Sequence, residues 1–251
     1  MKTNGLGKFL VLIATISRFV ASGQGFLNLD FEQTSLPPNG PPGTVSTTSG
    51  LPGWEVSIGG VPQSTILYNN ATLGDSSVAI LGKGNSVNAV IDGNFSVALT
   101  GGAYPGDSSI PADAAISQTG LVPSNARSIL FASYSRGNGF PNLSLTLNGQ
   151  SVDLTLVSTS SNYSLYGADV SPFAGKSANL TIAAPSNYPL GFGVFGLDDI
   201  SFSPNTIPEP SVLCLFVPDK TKWRTRPWPS RVPLTPWKTT AALCRGAASA
   251  R

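Results

Sequence analysis

Short runs of alternating apolar and polar residues recur along the chain, separated by breaks rich in Gly and Pro. Alternation sends successive side chains to opposite faces of a strand. Residues 26–32 show it first, with Leu27, Leu29 and Phe31 on one face and Asn28, Asp30 and Glu32 on the other. Residues 37–53, dense in Pro, Gly, Ser and Thr, read as a loop, after which Trp54, Val56 and Ile58 resume the pattern. Further strands are predicted at 65–68, 77–81, 86–91 and 95–99, a loop at 104–112, and strands at 114–118, 128–134, 163–170, 178–183 and 194–202. The sharpest local signal is a hairpin: Leu143, Leu145 and Leu147, then Asn148-Gly149, then Val152, Leu154 and Leu156. Asn-Gly suits the type I′ turn, whose two central residues both need positive φ. Residues 128–134 lead into it through the turn Gly137-Asn138-Gly139.

No stretch sustains a 3.6-residue period between helix caps. Roughly ten short strands with long crossing loops predict an all-β fold, an antiparallel jelly-roll sandwich of two stacked sheets. With no internal repeat, a single domain over residues 26–203 is the economical reading.

The two ends differ from this body. Lys2 and Lys8 precede an apolar run at 9–16, and the small residues Ala21-Ser22-Gly23 follow. That order predicts a secretory signal peptide over residues 1–25, cleaved near Gly23 or Gly25. The run is too short to span a bilayer, which takes about 20 residues. Residues 26–217 hold four basic residues against twelve acidic ones, a net charge of −8, whereas residues 218–251 hold eight against one, or +7. The overall +2 therefore describes neither part, and the acidic body offers no footprint for nucleic acid.

Histidine is absent, and the two cysteines, Cys214 and Cys244, lie outside the body. This removes the commonest general base, the Ser-His-Asp and Cys-His arrangements and most zinc sites. It also leaves the body without a disulfide. Carboxylates remain, and glycoside hydrolysis needs two of them across the scissile bond. Asp198 and Asp199 are adjacent on a predicted strand, so they point to opposite faces and cannot form that pair. Asp107 and Asp113 fall in a predicted loop, and nothing in the sequence brings them together. No catalytic residue is assigned, and a non-enzymatic role is expected.

Behind the last predicted strand stand a short polar linker, the tripeptide Pro208-Glu209-Pro210 and the apolar run 211–217. The order of domain, linker, motif and apolar run resembles the carboxy-terminal sorting signal of bacterial PEP-CTERM proteins. The resemblance implies that Pro208, Glu209 and Pro210 are read by an exosortase-type processing enzyme. It further implies export to the cell surface or extracellular matrix, in an organism that makes exopolysaccharide. In that family a membrane helix and a basic cluster follow the motif. Here Pro218-Asp219-Lys220 ends the apolar run, and Pro227, Pro229, Pro233 and Pro236 block a helix beyond it. The chain departs from the family where anchoring depends on it, so no stable membrane anchor is expected. Residues 218–251 are expected to be a disordered basic tail, as a shift of reading frame would produce.

Asn28-Leu29-Asp30-Phe31-Glu32, Leu51-Pro52-Gly53-Trp54 and Gly196-Leu197-Asp198-Asp199-Ile200 resemble stretches of galactose-binding-like β-sandwiches. In those folds a structural calcium often joins the first strand to the last. The resemblance implies Glu32 (or Asp30) and Asp198 or Asp199 as its ligands, since hard cations take carboxylate and carbonyl oxygens. The same resemblance makes a carbohydrate-binding module the alternative function, built on tyrosines among Tyr68, Tyr104, Tyr134, Tyr163, Tyr166 and Tyr188; no ligand-binding residue can be chosen from sequence.

Overall fold

The computed structural model describes residues 25–84, 90–136 and 143–207. The signal peptide, the Pro208-Glu209-Pro210 motif, the truncated apolar run and the basic tail lie outside them. So do residues 86–89 of the strand expected at 86–91, and Gly137-Asn138-Gly139.

The first elements are β1 (Gly43–Ser46), a single turn of helix α1 (Thr47–Gly50), β2 (Glu55–Ile58), β3 (Val61–Pro62), β4 (Thr65–Tyr68) and β5 (Ser77–Gly82). Next come β6 (Phe95–Tyr104), β7 (Asp107–Ala112), β8 (Ala114–Leu121), β9 (Ser128–Arg136), β10 (Ser144–Leu147) and β11 (Gln150–Val152). The chain closes with β12 (Thr155–Thr159), β13 (Ser164–Asp169), a 3₁₀ turn at Ser171–Phe173, β14 (Ser177–Ala184) and β15 (Gly193–Ser203). Among the described residues no helix is long and apolar enough to cross a membrane.

The strands form a sandwich. One sheet of nine strands runs β1-β4-β5-β6-β15-β9-β13-β12, with β7 paired to β6; the other, of six strands, runs β11-β10-β14-β8-β2-β3. Every strand pair is antiparallel except β4 with β5. From β8 onward the chain passes repeatedly from one sheet to the other, as jelly-roll connections do. The sheets bury Val78, Ile80, Val97, Leu99, Phe131 and Leu197 from one side against Val56, Ile116, Leu145, Leu147, Leu180 and Ile182 from the other. Facing aliphatic rows of this kind supply the main driving force for folding.

Trp54, Val56 and Ile58 point inward as their alternation requires. Asn148 and Gly149 have φ of 51° and 75°, the type I′ turn between β10 and β11. Only Val152 continues that hairpin: Leu154 lies beyond β11, and Leu156 belongs to β12 in the other sheet and is exposed.

Three expectations fail. Residues 26–32 are not a strand, because Asn28 and Phe31 take φ of 49° and 57°, which breaks the two-residue period. Residues 37–53 are not simply a loop: they carry β1 and α1, the latter capped by the Ser46 hydroxyl, which accepts from Ser49 N at 3.2 Å. Residues 104–112 hold β7, which folds back on β6 as a hairpin that uses hydroxyl-rich Ser108-Ser109 rather than an apolar alternation.

Instead of pairing as a strand, residues 26–33 strap the two sheets together. On the six-stranded side, Gln118 of β8 accepts from Leu27 N, and its amide donates to Leu27 O at 3.0 Å. The Trp54 indole donates to Asn28 O at 3.0 Å. On the nine-stranded side, Ile200 N donates to Leu29 O at 3.0 Å, and Phe26 stacks on Phe202 with ring centroids 5.2 Å apart. At the other terminus the described domain runs past β15: Ser128 donates to Asn205 O at 2.8 Å, and Ile207 lies over Gly167.

Candidate functional site

The acidic residues singled out by sequence gather at one end of the sandwich, where the strap meets β6 and β15. Glu32, on the strap, reaches the segment just before β6: its Oε1 accepts from Asn94 N at 2.8 Å and Phe95 N at 2.9 Å, and its Oε2 from the Asn94 amide at 3.2 Å. Asp198, in β15, holds the same segment from the other side. Its Oδ2 accepts from the Ser96 hydroxyl at 2.6 Å and Asp92 N at 3.3 Å, and its Oδ1 from Asp199 N at 2.8 Å. Ser96 in turn accepts from Ile91 N at 2.8 Å. Two carboxylates thus clamp residues 91–96 by satisfying backbone donors that no strand partner reaches.

Asp198 is 1 % exposed. Burial pushes its carboxyl up to about 7, against the pull of its Ser96, Asp199 and Asp92 hydrogen bonds. Asp199 is exposed and sits at φ 50°, where the pairing of β15 with β9 shifts register. Its pKa is raised as well, first by desolvation and then by the charges of Asp92, Asp30 and Glu32. As neighbours along β15 the two aspartates part company, one turned into the sheet and the other to water.

Glu32, Asp198 and Asp199 therefore share an end of the fold without sharing a ligand sphere. Among the described residues no group of three or more His, Cys, Asp or Glu side chains comes together as a metal would require. Calcium takes six to eight oxygens, whereas the oxygens of Glu32 and Asp198 are already occupied by N–H and O–H donors. In this arrangement Glu32 and Asp198 spend their oxygens on the protein's own donors, and Asp199 faces water.

The other carboxylates also serve local structure. Asp107 accepts from the Ser109 hydroxyl and amide at 2.6 and 3.0 Å, contacts that hold its pKa below the usual value. Asp113 accepts from Ser186 N at 2.7 Å.

A crevice opens between the sheets, lined by Phe131, Ser133, Ser135, Leu143, Leu154, Tyr166 and Phe195. Its volume is about 20 Å³, room for a water molecule, while a wider, open groove of about 520 Å³ lies at the acidic end against Phe26, Leu29, Asp30, Gln33, Asp199 and Ile200. The tyrosines divide by setting. Tyr68 is core, its hydroxyl donating to Pro37 O; Tyr166 stacks on Phe131 at 5.9 Å; Tyr163 and Tyr188 are each 36 % exposed. Tyr134, one of the candidate tyrosines, is set by the glycine opposite it: its half-buried ring covers Gly196 of β15, with the Arg136 guanidinium 5.6 Å from the ring centroid.

The sequence matches no protein-family model and no curated protein. Among solved structures it is similar to the Stig cyclase Fisc from Fischerella sp. TAU, at 15 % identity over 71 % of this chain and 94 % of that one, with a TM-score of 0.38. An apo cyclase from Fischerella sp. gives 15 % identity over 71 % and 93 %, with a TM-score of 0.41. The enzymatically active domain of bacteriophage CBA120 tailspike protein 4 gives 15 % over 63 % of this chain and 21 % of that one, with a TM-score of 0.34. Likeness at this level is common among β-sandwiches of unrelated function.

Proposed function

We propose that the chain is an exported, non-enzymatic β-sandwich protein of the cell surface or extracellular matrix, addressed by a PEP-CTERM-type signal at Pro208, Glu209 and Pro210. The observation that carries this reading is how near the motif follows a strand built into the sheet. The last strand, β15, lies inside the nine-stranded sheet between β6 and β9, and only residues 204–207 separate it from the motif. A sheet strand followed by this short linker and the tripeptide matches the order of body, linker and motif that the resemblance to a PEP-CTERM signal implies. The non-enzymatic part of the reading is supported by Glu32, Asp198 and Asp113, whose carboxylates are engaged by the protein's own backbone and hydroxyl donors.

Expression in an exosortase-bearing host tests the proposal. Intact-mass analysis should show carboxy-terminal processing of the unaltered chain and none of the Pro208→Ala/Glu209→Ala/Pro210→Ala variant. Identical termini in both would reject it. The exposed rings of Tyr163 and Tyr188 favour a second reading, a carbohydrate-binding module, because such rings can stack on sugars. A glycan array separates the two, since the structural reading expects no selective binding.

A further inference from the structure

The pairing of β15 with β9 ends at Ser203 and Ser128, yet the chain does not leave the body there. Arg127 N donates to Ser203 O at 2.8 Å, and Asn205 N donates to the Ser203 hydroxyl at 3.1 Å. The buried Ser128 hydroxyl donates to Asn205 O at 2.8 Å. These bonds hold the turn that carries Ile207 to β13.

Ile207 is seated where a side chain is missing. A β-carbon at Gly167 would stand 3.0 and 3.1 Å from Cδ1 and Cγ1 of Ile207 and 2.9 Å from Cδ2 of Leu130. Glycine at 167 therefore leaves the space that the isoleucine fills, beside Leu130, its register partner in β9. The seat is shallow. Ile207 is only half-buried, Asn205 and Thr206 next to it are exposed, and no strand includes residues 204–207. A segment held by one aliphatic side chain and a few hydrogen bonds opens far more readily than the sheet it rests on.

Ile207 is also the residue directly before Pro208-Glu209-Pro210. An enzyme that cuts a chain takes it extended into a cleft, with residues on both sides of the site. A folded substrate therefore reacts through its locally opened form, at a rate set by that form's population. Seated on β13, Ile207 keeps the residues that precede the motif out of such a cleft. We propose that Ile207 in its Gly167 seat is a latch on the sorting site: the processing enzyme acts on chains in which residues 204–207 have lifted off the body. This rests on reading the tripeptide as a sorting motif. The folded body, and not the motif alone, then sets how fast the chain is processed.

Two variants open the latch from opposite sides. Ile207→Ser removes the side chain, and Gly167→Ala, remote from the motif in sequence, fills its seat; Ile207→Val keeps the seat occupied. Where Gly167→Ala does not fold, Ser128→Ala, which frees Asn205 O, takes its place. On the purified full chain, a broad-specificity protease should cut within residues 204–207, located by intact mass, about fivefold or more faster in the two opened variants than in the unaltered chain or Ile207→Val. In an exosortase-bearing host, pulse-chase labelling should show carboxy-terminal processing faster by a similar factor in the same variants. Equal cutting at 204–207 in all chains would overturn the latch. So would faster cutting with unchanged processing, or faster processing confined to Ile207→Ser, which would mark direct recognition of residue 207. No processing of any chain is a separate result: it would reject the motif reading, and the latch's role with it.

Discussion

The ring of Tyr134 in β9 lies across Gly196 in β15, so close that a β-carbon at position 196 would overlap it. The tyrosine thereby seals a stretch of sheet that the glycine would leave bare. Its hydroxyl is buried without a hydrogen-bond partner among the described residues, and burial pushes its pKa up to about 12. An unsatisfied buried hydroxyl costs about 1–3 kcal/mol. Tyr134→Phe, which keeps the ring under Arg136, should therefore stabilise the domain by about 1 kcal/mol in urea denaturation. Gly196→Ala should destabilise it by about 1–3 kcal/mol, and Tyr134→Ala should relieve much of that loss. Additive effects in the double variant would refute the contact.

Asp198 makes stability depend on pH. Folding raises its pKa from 3.8 to about 7, so the folded chain holds this proton more tightly than the unfolded chain. The group's stabilising contribution is complete below about pH 4, falls as pH rises from about 4 to 7, and is gone above that. Asp199 shifts in the same direction. Asp107 and Asp169, held low by Ser109 and Ser171, act oppositely, and only as pH falls through the low end of the range. Thermal melts of the unaltered chain between pH 5 and 7.5 should show Tm declining, with a flatter curve for Asp198→Asn. Parallel curves would count against a buried, proton-holding Asp198.

Glu32 ties the strap to the segment before β6 through three hydrogen bonds. Because the contact is partly solvated, Glu32→Ala should cost about 1–2 kcal/mol. Hydrogen exchange should locate the loss at the amides of Asn94 and Phe95. Unchanged protection there would show that the carboxylate does not hold the segment.

Calcium should leave the domain's Tm unchanged at millimolar concentration, and a chelator should do the same, because the oxygens of Glu32 and Asp198 already accept protein donors. A rise of several degrees with calcium would show that these side chains rearrange around a cation.

Strands with simple alternation were legible from sequence. Thr65–Tyr68 is an example, as is the Asn148-Gly149 turn, where the residue types dictate backbone geometry. The strap was not. Leu27, Leu29 and Phe31 alternate as a strand would, yet left-handed Asn28 and Phe31 turn the chain so that Phe31 is fully buried and Leu27 is exposed. Alternation records which residues are apolar, not whether a second strand lies within reach. The acidic end was legible in part: the resemblance to galactose-binding-like sandwiches set Glu32, Asp198 and Asp199 beside one another through the first and last segments. The amide donors of residues 92–95 and 199 that occupy two of those carboxylates depend on backbone turns and the β15 bulge, which leave no mark on composition.

Location tests the central claim most directly. Cells of an exopolysaccharide-producing bacterium expressing the chain would be fractionated into medium, soluble contents and washed membranes, and the protein in each fraction identified by mass spectrometry. The expected result is a chain recovered mainly outside the cells, beginning near Gly23 or Gly25. Full-length chain beginning at Met1 and held in the washed membranes or the cytoplasm would contradict the reading of an exported, unanchored β-sandwich.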